Sequence, residues 1–195
     1  TDGTINTISL RMFDYHIGVS DAMVQLLISR GFNPQKLFSI YNGVAFPPEK
    51  PSLSRGEYLE SLCVSYDEDT VVFGIAARLN PVKDIATLIR GFAGACRKCP
   101  NIRLVIAGDG EERQMLESLA KETCPAGSVV FAGWVKDTDS FYHAIDVNML
   151  TSLSEGAPYA LVEGARMRCA TIATSVGGIP YMMESGVTGL LFTPR

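Results

Sequence analysis

The sequence predicts an α/β fold built on a doubly wound parallel sheet. From Thr70 onward, short apolar runs alternate with amphipathic stretches, which is the order of strands and helices that a parallel sheet requires. Right-handed crossovers then place helices on both faces of the sheet, so the strands are expected to be buried. Hydrophobic residues make up 47% of the 195 residues and charged residues 19%, which is enough to fill a complete core.

Eight segments have the short, apolar and β-rich character of strands. TVVFGIAAR gives way to the polar LNPVKD, and NIRLVIAG gives way to a glycine turn. We predict strands over residues 16–20, 37–41, 70–78, 101–108, 129–134, 146–150, 170–174 and 189–192.

Helical spacing of apolar residues marks the segments between these strands. The first helix is expected to end at Gly31, and the helix of IATLIRGFAGACRK is stopped by Pro100. Pro158 suits the first helical position of PYALVEGARM, and Asp137 or Thr138 suits the N-cap of a short helix. We predict helices over residues 21–31, 85–98, 113–121, 138–145, 158–167 and 181–185.

The segment NGVAFPPEKPSLS, residues 42–54, is rich in proline and serine, as is typical of a linker. The strands and helix before it differ from the regular alternation that follows. We therefore predict that residues 1–46 end one domain and lead out of it, and that residues 47–195 form the parallel-sheet domain.

Composition excludes several classes of function. The net charge of −4 does not indicate a nucleic-acid partner, and no run of 18 apolar residues predicts a membrane-spanning helix. Five scattered cysteines fit a reducing compartment and predict a cytoplasmic protein. The CxxC string Cys96–Cys99 has no second ligand pair, because His16 and His143 lie far away in sequence. We predict a helix end there rather than a metal site.

Ligands of an open parallel sheet bind beyond the carboxyl ends of its strands. Arg78 ends one strand and Lys83 precedes the next helix, so both are expected to project into one crevice. An arginine fork and a lysine charge near a helix N-terminus suit a diphosphate. From spacing alone, a pair of solvated surface cations is an equally good interpretation.

Two acidic patterns have structural interpretations. Gly108–Glu112 looks like a phosphate loop, but its three carboxylates would repel phosphate, so we predict a tight strand-to-helix turn. The DxD strings Asp67–Asp69 and Asp137–Asp139 are interpreted as a polar turn and a helix N-cap, and neither is predicted to hold a metal.

The stretch SEGAPYALVEG places Glu155 and Glu163 at the two ends of an apolar segment. Glu155 is predicted in the loop before a helix and Glu163 on its second turn, about 10 Å apart along the axis. That separation matches the two polyol ends of a sugar–diphosphate–ribose ligand. Gly156 and Ala157 leave space, and free helix N–H groups would face the phosphates. The alternative is that Glu163 is an ordinary helix-surface residue.

Five ordered strings carry a family resemblance: IAARLNPVKD, RLVIAGDGEE, VFAGWV, LTSLSEGAPYALVEG and IATSVGGIPYMMESGVTGLLF. They resemble the C-terminal half of group 1 retaining glycosyltransferases, whose E-x7-E signature corresponds to Glu155 and Glu163. The resemblance covers residues 70–195, and residues 18–44 look like the end of the family's first domain. It implies the GT-B architecture, in which two Rossmann-like domains face a cleft, and residues 1–46 would then come from the acceptor-side domain.

The resemblance also implies roles for single residues. Arg78 and Lys83 would bind the donor diphosphate and support the leaving group. Glu155 would contact the donor sugar near its reacting carbon, and Glu163 would hold the ribose hydroxyls. The segment from Gly133 to Val135 would lie near the base. The implied donor-binding set is Arg78, Lys83, Gly133, Val135, Glu155, Gly156, Ala157 and Glu163, and Glu155, Arg78 and Lys83 form the catalytic set.

The implied reaction moves a sugar from a nucleotide-diphosphate sugar to an acceptor hydroxyl, in polysaccharide or glycoconjugate synthesis, without a bound metal or another cofactor. The acceptor, a sugar or a glycolipid, would bind mainly to the first domain. We therefore expect this chain alone to bind donor but not to transfer sugar efficiently. Peripheral association of the whole enzyme with the inner face of the membrane is compatible with this scheme.

Three residues depart from the family pattern: Arg168 replaces a glycine, Ala170 a proline and Tyr181 a glutamate. The glycine is interpreted as a left-handed helix cap, where arginine would cost about 1 kcal/mol.

Three rival functions remain at this stage. A nucleotide-sugar epimerase lacks this combination of basic residues and E-x7-E. A dinucleotide oxidoreductase requires GxGxxG after its first strand, and no such glycine run follows FGIAAR. A non-catalytic module that binds nucleotide or carbohydrate is the third.

Overall fold

We describe the fold from a computed structural model that covers residues 9–46 and 50–194. A six-stranded parallel sheet forms the main domain, and a two-stranded parallel sheet precedes it along the chain. The strands are β1 (His16–Gly18), β2 (Leu37–Ser39), β3 (Val71–Ala76), β4 (Ile102–Ala107), β5 (Val129–Gly133), β6 (Val147–Leu150), β7 (Ala170–Thr174) and β8 (Leu190–Phe192). The helices are α1 (Asp21–Ser29), α2 (Arg55–Ser61), α3 (Ile85–Cys96), α4 (Arg113–Thr123), α5 (Thr138–Ala144), α6 (Tyr159–Arg166) and α7 (Ile179–Met182).

The strand order of the large sheet is β5-β4-β3-β6-β7-β8, and every neighbouring pair is parallel. The chain winds outward from β3 through β4 and β5, then returns to the other side of β3 with β6. This reversal confirms the predicted doubly wound sheet. It opens a crevice at the carboxyl ends of β3 and β6, where such sheets bind ligands.

Both faces of the sheet are buried, because successive residues of a strand point to opposite sides. Leu104 and Ile106 of β4 pack into a core with α3 and α4. Val105 and Ala107 pack into a second core with α2 and α5 on the other face. A smaller core around Leu161 joins α6 and α7 to β6 and β7. The predicted helices on both faces are therefore confirmed.

Strands β1 and β2 and helix α1 form a small unit that contacts the main domain. Asn42 Nδ2 donates to the carbonyl oxygen of Ala157 at 2.8 Å, and Arg166 Nη1 donates to that of Ala45 at 3.1 Å. The predicted domain boundary, between residues 46 and 47, stays a prediction, because residues 47–49 lie outside the described residues. Within the described ranges, no helix has both the length and the apolar character that crossing a membrane requires.

Helix α2 is an element that the sequence analysis does not predict. Ser54 and Glu57 form a capping box at its start: the Glu57 N–H donates to the serine hydroxyl, and the Glu57 carboxylate accepts from the Ser54 N–H. Tyr58 and Leu59 bury the inner face of the helix beside Phe141. The linker composition of residues 42–54 is thus followed at once by a packed helix.

Several predicted boundaries shift by a few residues. Helix α6 begins at Tyr159, so Pro158 is its N-cap rather than its first residue. Helix α7 begins at Ile179 and ends at Met182, instead of covering residues 181–185, because a proline is tolerated in a first turn. Helix α3 ends at Cys96, as the interpretation of the CxxC string as a helix end requires.

Candidate functional site

The turn that carries Lys83 is fixed to the loop that follows β6. Residues Pro81–Lys83 form a single 3₁₀ turn between β3 and α3. Thr151 Oγ1 donates to the carbonyl oxygen of Lys83 at 2.8 Å, and the Leu153 N–H donates to that of Val82 at 2.8 Å. These two bonds join the carboxyl ends of β3 and β6 and direct the lysine toward the residues after β6.

Lys83 and Glu155 form a close ion pair in this crevice. Lys83 Nζ lies 2.6 Å from Glu155 Oε1, and Ser152 Oγ donates to the same oxygen at 2.6 Å. The Glu155 side chain is only 10% exposed and that of Lys83 is 26% exposed. The family resemblance assigns the two residues to different parts of a ligand, whereas the structure places them in direct contact.

Two glycines let a second loop approach Glu155 closely. A Cβ on Gly177 would lie 1.7 Å from the carbonyl oxygen of Glu155, and a Cβ on Gly178 would lie 1.8 Å from that of Gly156. The Gly178 N–H donates to the Glu155 carbonyl at 3.2 Å. The loop after β7 therefore holds the backbone of Glu155 in place, and no larger residue fits at either glycine.

Arg78 lies at the same sheet edge but has a different partner. Its side chain is 71% exposed, and Nη2 lies 3.7 Å from Glu111 Oε2. Glu111 belongs to the turn between β4 and α4, where a Cβ on Gly110 would lie 2.3 Å from the carbonyl oxygen of Leu79. The predicted tight strand-to-helix turn is confirmed. Because the Arg78 pair is exposed, it is more strongly screened by solvent than the Lys83 pair.

Glu163 lies on α6 and has Tyr142 of α5 as its polar partner. Burial raises the pKa of the Glu163 carboxyl above its ordinary value, and the Tyr142 hydroxyl opposes that rise by hydrogen bonding to the carboxylate. A half-buried carboxylate with a hydroxyl partner differs from the freely solvated group of the alternative interpretation.

A cavity of about 270 Å³ lies beside Arg78, at the carboxyl ends of β3, β4 and β5. Trp134, the only tryptophan of the sequence, lines it and is 75% exposed. Val135 lies next to it, within the segment that the resemblance assigns to the base. Small residues form much of the remaining wall: Ala76, Ala77, Ala107 and Gly108.

The acidic DxD strings take part in local structure. Asp67 accepts from the Asn101 amide at 2.9 Å and from the Thr70 hydroxyl at 2.6 Å, and these bonds lower the pKa of its carboxyl. Asp137 caps α5 by accepting from the Ser140 N–H, which confirms the predicted N-cap. In the part of the chain that the structure describes, no three His, Cys, Asp or Glu side chains are grouped as a metal site.

Arg168 has the left-handed backbone predicted for it. Its φ is +63°, it follows Met167, the C-cap of α6, and its side chain is exposed. The Cys169 N–H donates to the Gly164 carbonyl at 2.9 Å across this turn. Of the other two departures, Ala170 begins β7 and Tyr181 lies exposed on α7.

Two residues of the site, Ser152 and Tyr142, are not predicted from the sequence. Ser152 orients Glu155 through the hydrogen bond described above, and its place three residues before the glutamate is the only signal of it in the sequence. Tyr142 lies on a helix and away from the predicted edge loops, so no spacing rule connects it with Glu163.

Comparison with known proteins shows what this chain is similar to. An uncharacterised glycosyltransferase of Methanocaldococcus jannaschii is 32% identical over 187 residues, which cover 92% of this chain and 47% of that protein. A lipopolysaccharide core biosynthesis glycosyltransferase of Rhizobium meliloti is 34% identical over 109 residues, or 56% of this chain and 31% of the relative. The chain thus spans less than half of the length of these two relatives.

Solved structures give the same result for the fold. HepE of Anabaena in complex with UDP superposes with a TM-score of 0.81 at 26% identity, covering 93% of this chain and 50% of HepE. The C-terminal domain of a group 1 family glycosyl transferase from Francisella tularensis has a TM-score of 0.65 at 24% identity, covering 78% of this chain and 81% of that domain. The latter shows a common fold.

The family match covers most of the sheet domain. Residues 64–195 match the glycosyl transferases group 1, which is more than half of the chain. The six-stranded parallel sheet corresponds to one half of the two-domain GT-B enzymes. The sequence match and the fold agree, and the chain belongs to the glycosyl transferases group 1 family.

Proposed function

We propose that this domain binds a nucleotide-diphosphate sugar as the donor of a retaining sugar transfer. The observation that carries the proposal is the Lys83–Glu155 pair, held at 2.6 Å where the carboxyl ends of β3 and β6 diverge. A uridine diphosphate sugar is the best-supported donor, because HepE, at 26% identity, was solved in complex with UDP-glucose.

The diphosphate would lie between Lys83 and the start of α6. Among the described residues, no side chain caps the N-terminus of α6, so its first N–H groups are available to an anion. Arg78 is exposed and would turn from Glu111 toward the phosphates. Preorganised positive charge at this place stabilises the negative charge that develops on a departing diphosphate.

Glu155 would contact the transferred sugar. Ser152 and the loop after β7 hold the glutamate in one position, and a Cβ on Gly156 would lie only 3.2 Å from Val19 Cγ2, so this loop is tightly packed. The partial burial of Glu155 strengthens a hydrogen bond to a sugar hydroxyl, because water competes less there. Ala157 completes the loop and is itself buried.

The nucleoside would extend from Glu163 to the cavity beside Trp134. Glu163 would accept hydrogen bonds from the two ribose hydroxyls, and the base would occupy the cavity of about 270 Å³. The segment from Gly133 to Val135 would contact the base, with the Trp134 ring at its side.

In the whole enzyme, the acceptor would be a sugar or a glycolipid of a polysaccharide or glycoconjugate pathway. It would bind across the cleft to the other domain, of which residues 1–46 would form the end. No metal ion or other cofactor is part of the proposal. The whole enzyme would act in the cytoplasm, in peripheral contact with the membrane where the acceptor is a lipid.

A thermal-shift titration in EDTA tests donor binding. At a UDP concentration 100 times the dissociation constant, binding contributes about 2.7 kcal/mol to stability. For a domain of this size we expect Tm to rise by about 5–10 °C. UDP-glucose should act similarly and uridine more weakly. A response that appears only after magnesium or manganese is added would contradict the metal-free proposal.

Lys83→Ala separates phosphate binding from nucleoside binding. We expect the affinity for UDP to fall by about tenfold or more and the affinity for uridine to stay the same, because a charge-assisted bond contributes about 1.5–3 kcal/mol. Lys121→Ala is the matched control, since it removes one exposed lysine from the last turn of α4, away from the turn that carries Lys83. Equal losses for UDP and uridine would indicate a folding defect and refute the assignment.

The rival functions predict other results. A dinucleotide oxidoreductase would bind NADH, seen as a change of its fluorescence, in preference to UDP. A non-catalytic module would bind UDP-glucose but leave it intact when the domain is combined with its acceptor half. An epimerase would convert UDP-glucose into UDP-galactose without any acceptor.

A further inference from the structure

The loop that carries Glu155 lies against the small unit of β1, β2 and α1. A Cβ on Gly156 would lie 3.2 Å from Val19 Cγ2, and a Cβ on Gly178 would lie 2.9 Å from Ser20 Oγ. Ser20 is fully buried there and caps the start of α1. The turn between β1 and α1 therefore packs directly on two loops of the proposed donor site.

Asn42 joins the segment after β2 to the same loop by a hydrogen bond. Its Nδ2 atom donates to the carbonyl oxygen of Ala157 at 2.8 Å, although 115 positions separate the two residues. Ala157 is 6% exposed, so its carbonyl has little access to water and needs a protein donor. The Leu161 N–H of α6 bonds instead to the Pro158 carbonyl, at 3.1 Å. The side-chain amide of Asn42 therefore supplies the partner that the Ala157 carbonyl needs.

Arg166 holds the same segment at the other end of α6. Its Nη1 atom donates to the carbonyl oxygens of Ala45 at 3.1 Å and Phe46 at 3.4 Å, and its Nη2 atom pairs with Asp139 of α5. The chain from the loop to Arg166 rises about 13 Å along the helix axis, and four extended residues span about the same distance. Residues 42–46 are therefore fixed beside both ends of α6.

Glu155 is thus held from two sides through the backbone of its loop. On one side, the Gly178 N–H donates to the Glu155 carbonyl oxygen at 3.2 Å. On the other side, Asn42 holds the loop two residues further along, at Ala157. Lys83 depends on neither contact, because its own turn is bonded to the residues directly after β6. A change at Asn42 should therefore displace the sugar end of the proposed site and leave the diphosphate end in place.

We propose that Asn42 is a positioning residue that fixes the loop of Glu155 for contact with the transferred sugar. This ligand role rests on the proposed function, whereas the hydrogen bond to Ala157 belongs to the free protein. Asn42 acts through the loop and does not itself touch the donor. Because Asn42 lies in the segment that leads from the small unit into the main domain, the sugar end of the site is complete only while this segment lies along α6.

The first test measures amide hydrogen exchange of the free protein by NMR. Asn42→Leu keeps the approximate size of the side chain and removes the donor. We expect the Gly178 N–H, which bonds to the Glu155 carbonyl, to exchange about three- to tenfold faster, as the loss of one hydrogen bond beside it predicts. The amides of β4, which lie in the core of the sheet, should exchange at the parent rate.

Asn33→Ala is the matched control for this test. Its side chain also caps a backbone group, but it accepts from the Gln35 N–H and so stays within the small unit. We expect exchange at Gly178 to be unchanged in this variant. If Asn42→Leu leaves exchange at Gly178 unchanged, or accelerates it equally in β4, the loop is not held by Asn42 and the proposal is overturned.

The second test uses calorimetry to compare the affinities for UDP-glucose and UDP. The ratio of the two affinities isolates the contribution of the sugar. Asn42→Leu should lower this ratio about three- to tenfold and change UDP affinity less than about twofold, while Asn33→Ala should change neither. In a Glu155→Ala background, Asn42→Leu should lower the ratio no further, because Asn42 acts through the placement of Glu155.

The results separate this inference from the proposed function. Equal losses of UDP and UDP-glucose affinity in Asn42→Leu would indicate a general structural role, and a further loss in the Glu155→Ala background would indicate an effect that bypasses Glu155. Either result makes the inference wrong. If Glu155→Ala has the parent ratio, the proposed sugar contact is wrong, and the ligand role of Asn42 is refuted with it. The exchange test then still decides whether Asn42 holds the loop.

Discussion

Replacing Glu155 by glutamine should make the domain bind UDP more tightly. In the free protein, Glu155 neutralises Lys83 at 2.6 Å. A phosphate oxygen that joins Lys83 from the other side would lie about 5.5 Å from the carboxylate. At an effective dielectric constant of about 40, two unit charges at that distance repel by about 1.5 kcal/mol. Glutamine removes this repulsion and can still accept hydrogen bonds from Lys83 and Ser152.

The expected result is a gain in UDP affinity of about five- to tenfold, since 1.4 kcal/mol corresponds to a factor of ten. UDP-glucose should gain less, because its sugar loses a charged acceptor. Isothermal titration of parent and variant with both ligands, at one fixed salt concentration, provides the measurement. Folding should be retained because glutamine has the shape of glutamate.

Glu111→Gln is the matched control for this prediction. Glu111 pairs with Arg78 at 3.7 Å, but both side chains are more than half exposed, so solvent screens the charge. We expect a change of less than about twofold, which disappears at high salt. If Glu155→Gln leaves UDP affinity unchanged or weakens it, the phosphates do not lie beside the Lys83–Glu155 pair and the reasoning fails.

Three further predictions concern stability and the base site. Burial raises the pKa of Glu163, so its contribution to stability is present at low pH and lost as pH rises through that pKa. Glu163→Gln should therefore melt above the parent at pH 8 and equal it near pH 4. Arg168→Gly should add about 0.5–1 kcal/mol, or about 1–4 °C in Tm, whereas Arg97→Gly, at a right-handed φ of −67°, should lower Tm. Uridine should change the fluorescence of Trp134, and an unchanged spectrum at saturation would exclude the adjacent cavity as the base site.

The fold was predictable from sequence because its strands are short apolar runs separated by clear turns. Strand β4 shows why: its residues alternate between two cores, so nearly all of them are apolar and the run is easily recognised. Helix α2 was missed because the proline-rich linker obscured its start. The pattern Ser54-x-x-Glu57 is a capping-box signature that would have located it.

The site was only partly predictable, because its geometry depends on contacts between distant segments. Lys83 and Glu155 are 72 positions apart, and their contact requires the two bonds that tie the Lys83 turn to the loop after β6. The rule that ligands bind beyond the carboxyl ends of parallel strands places both residues at the same edge of the sheet, but it does not predict that they contact each other. The interaction of Tyr142 with Glu163 depends on how α5 packs beside α6, which no local pattern encodes.

The two glutamates have different partners, and this difference predicts the orientation in which the proposed donor would bind. Glu155 is paired with a cation, whereas the partner of Glu163 is a neutral hydroxyl. A phosphate group beside Lys83 would lie near the Glu155 carboxylate, whose negative charge is already balanced by the lysine. The same charge placed at Glu163 would face an uncompensated, half-buried carboxylate and be repelled. A neutral diol suits Glu163, and the diphosphate suits Lys83. Electrostatics alone would therefore orient a nucleotide sugar with its ribose on α6 and its sugar beside Glu155.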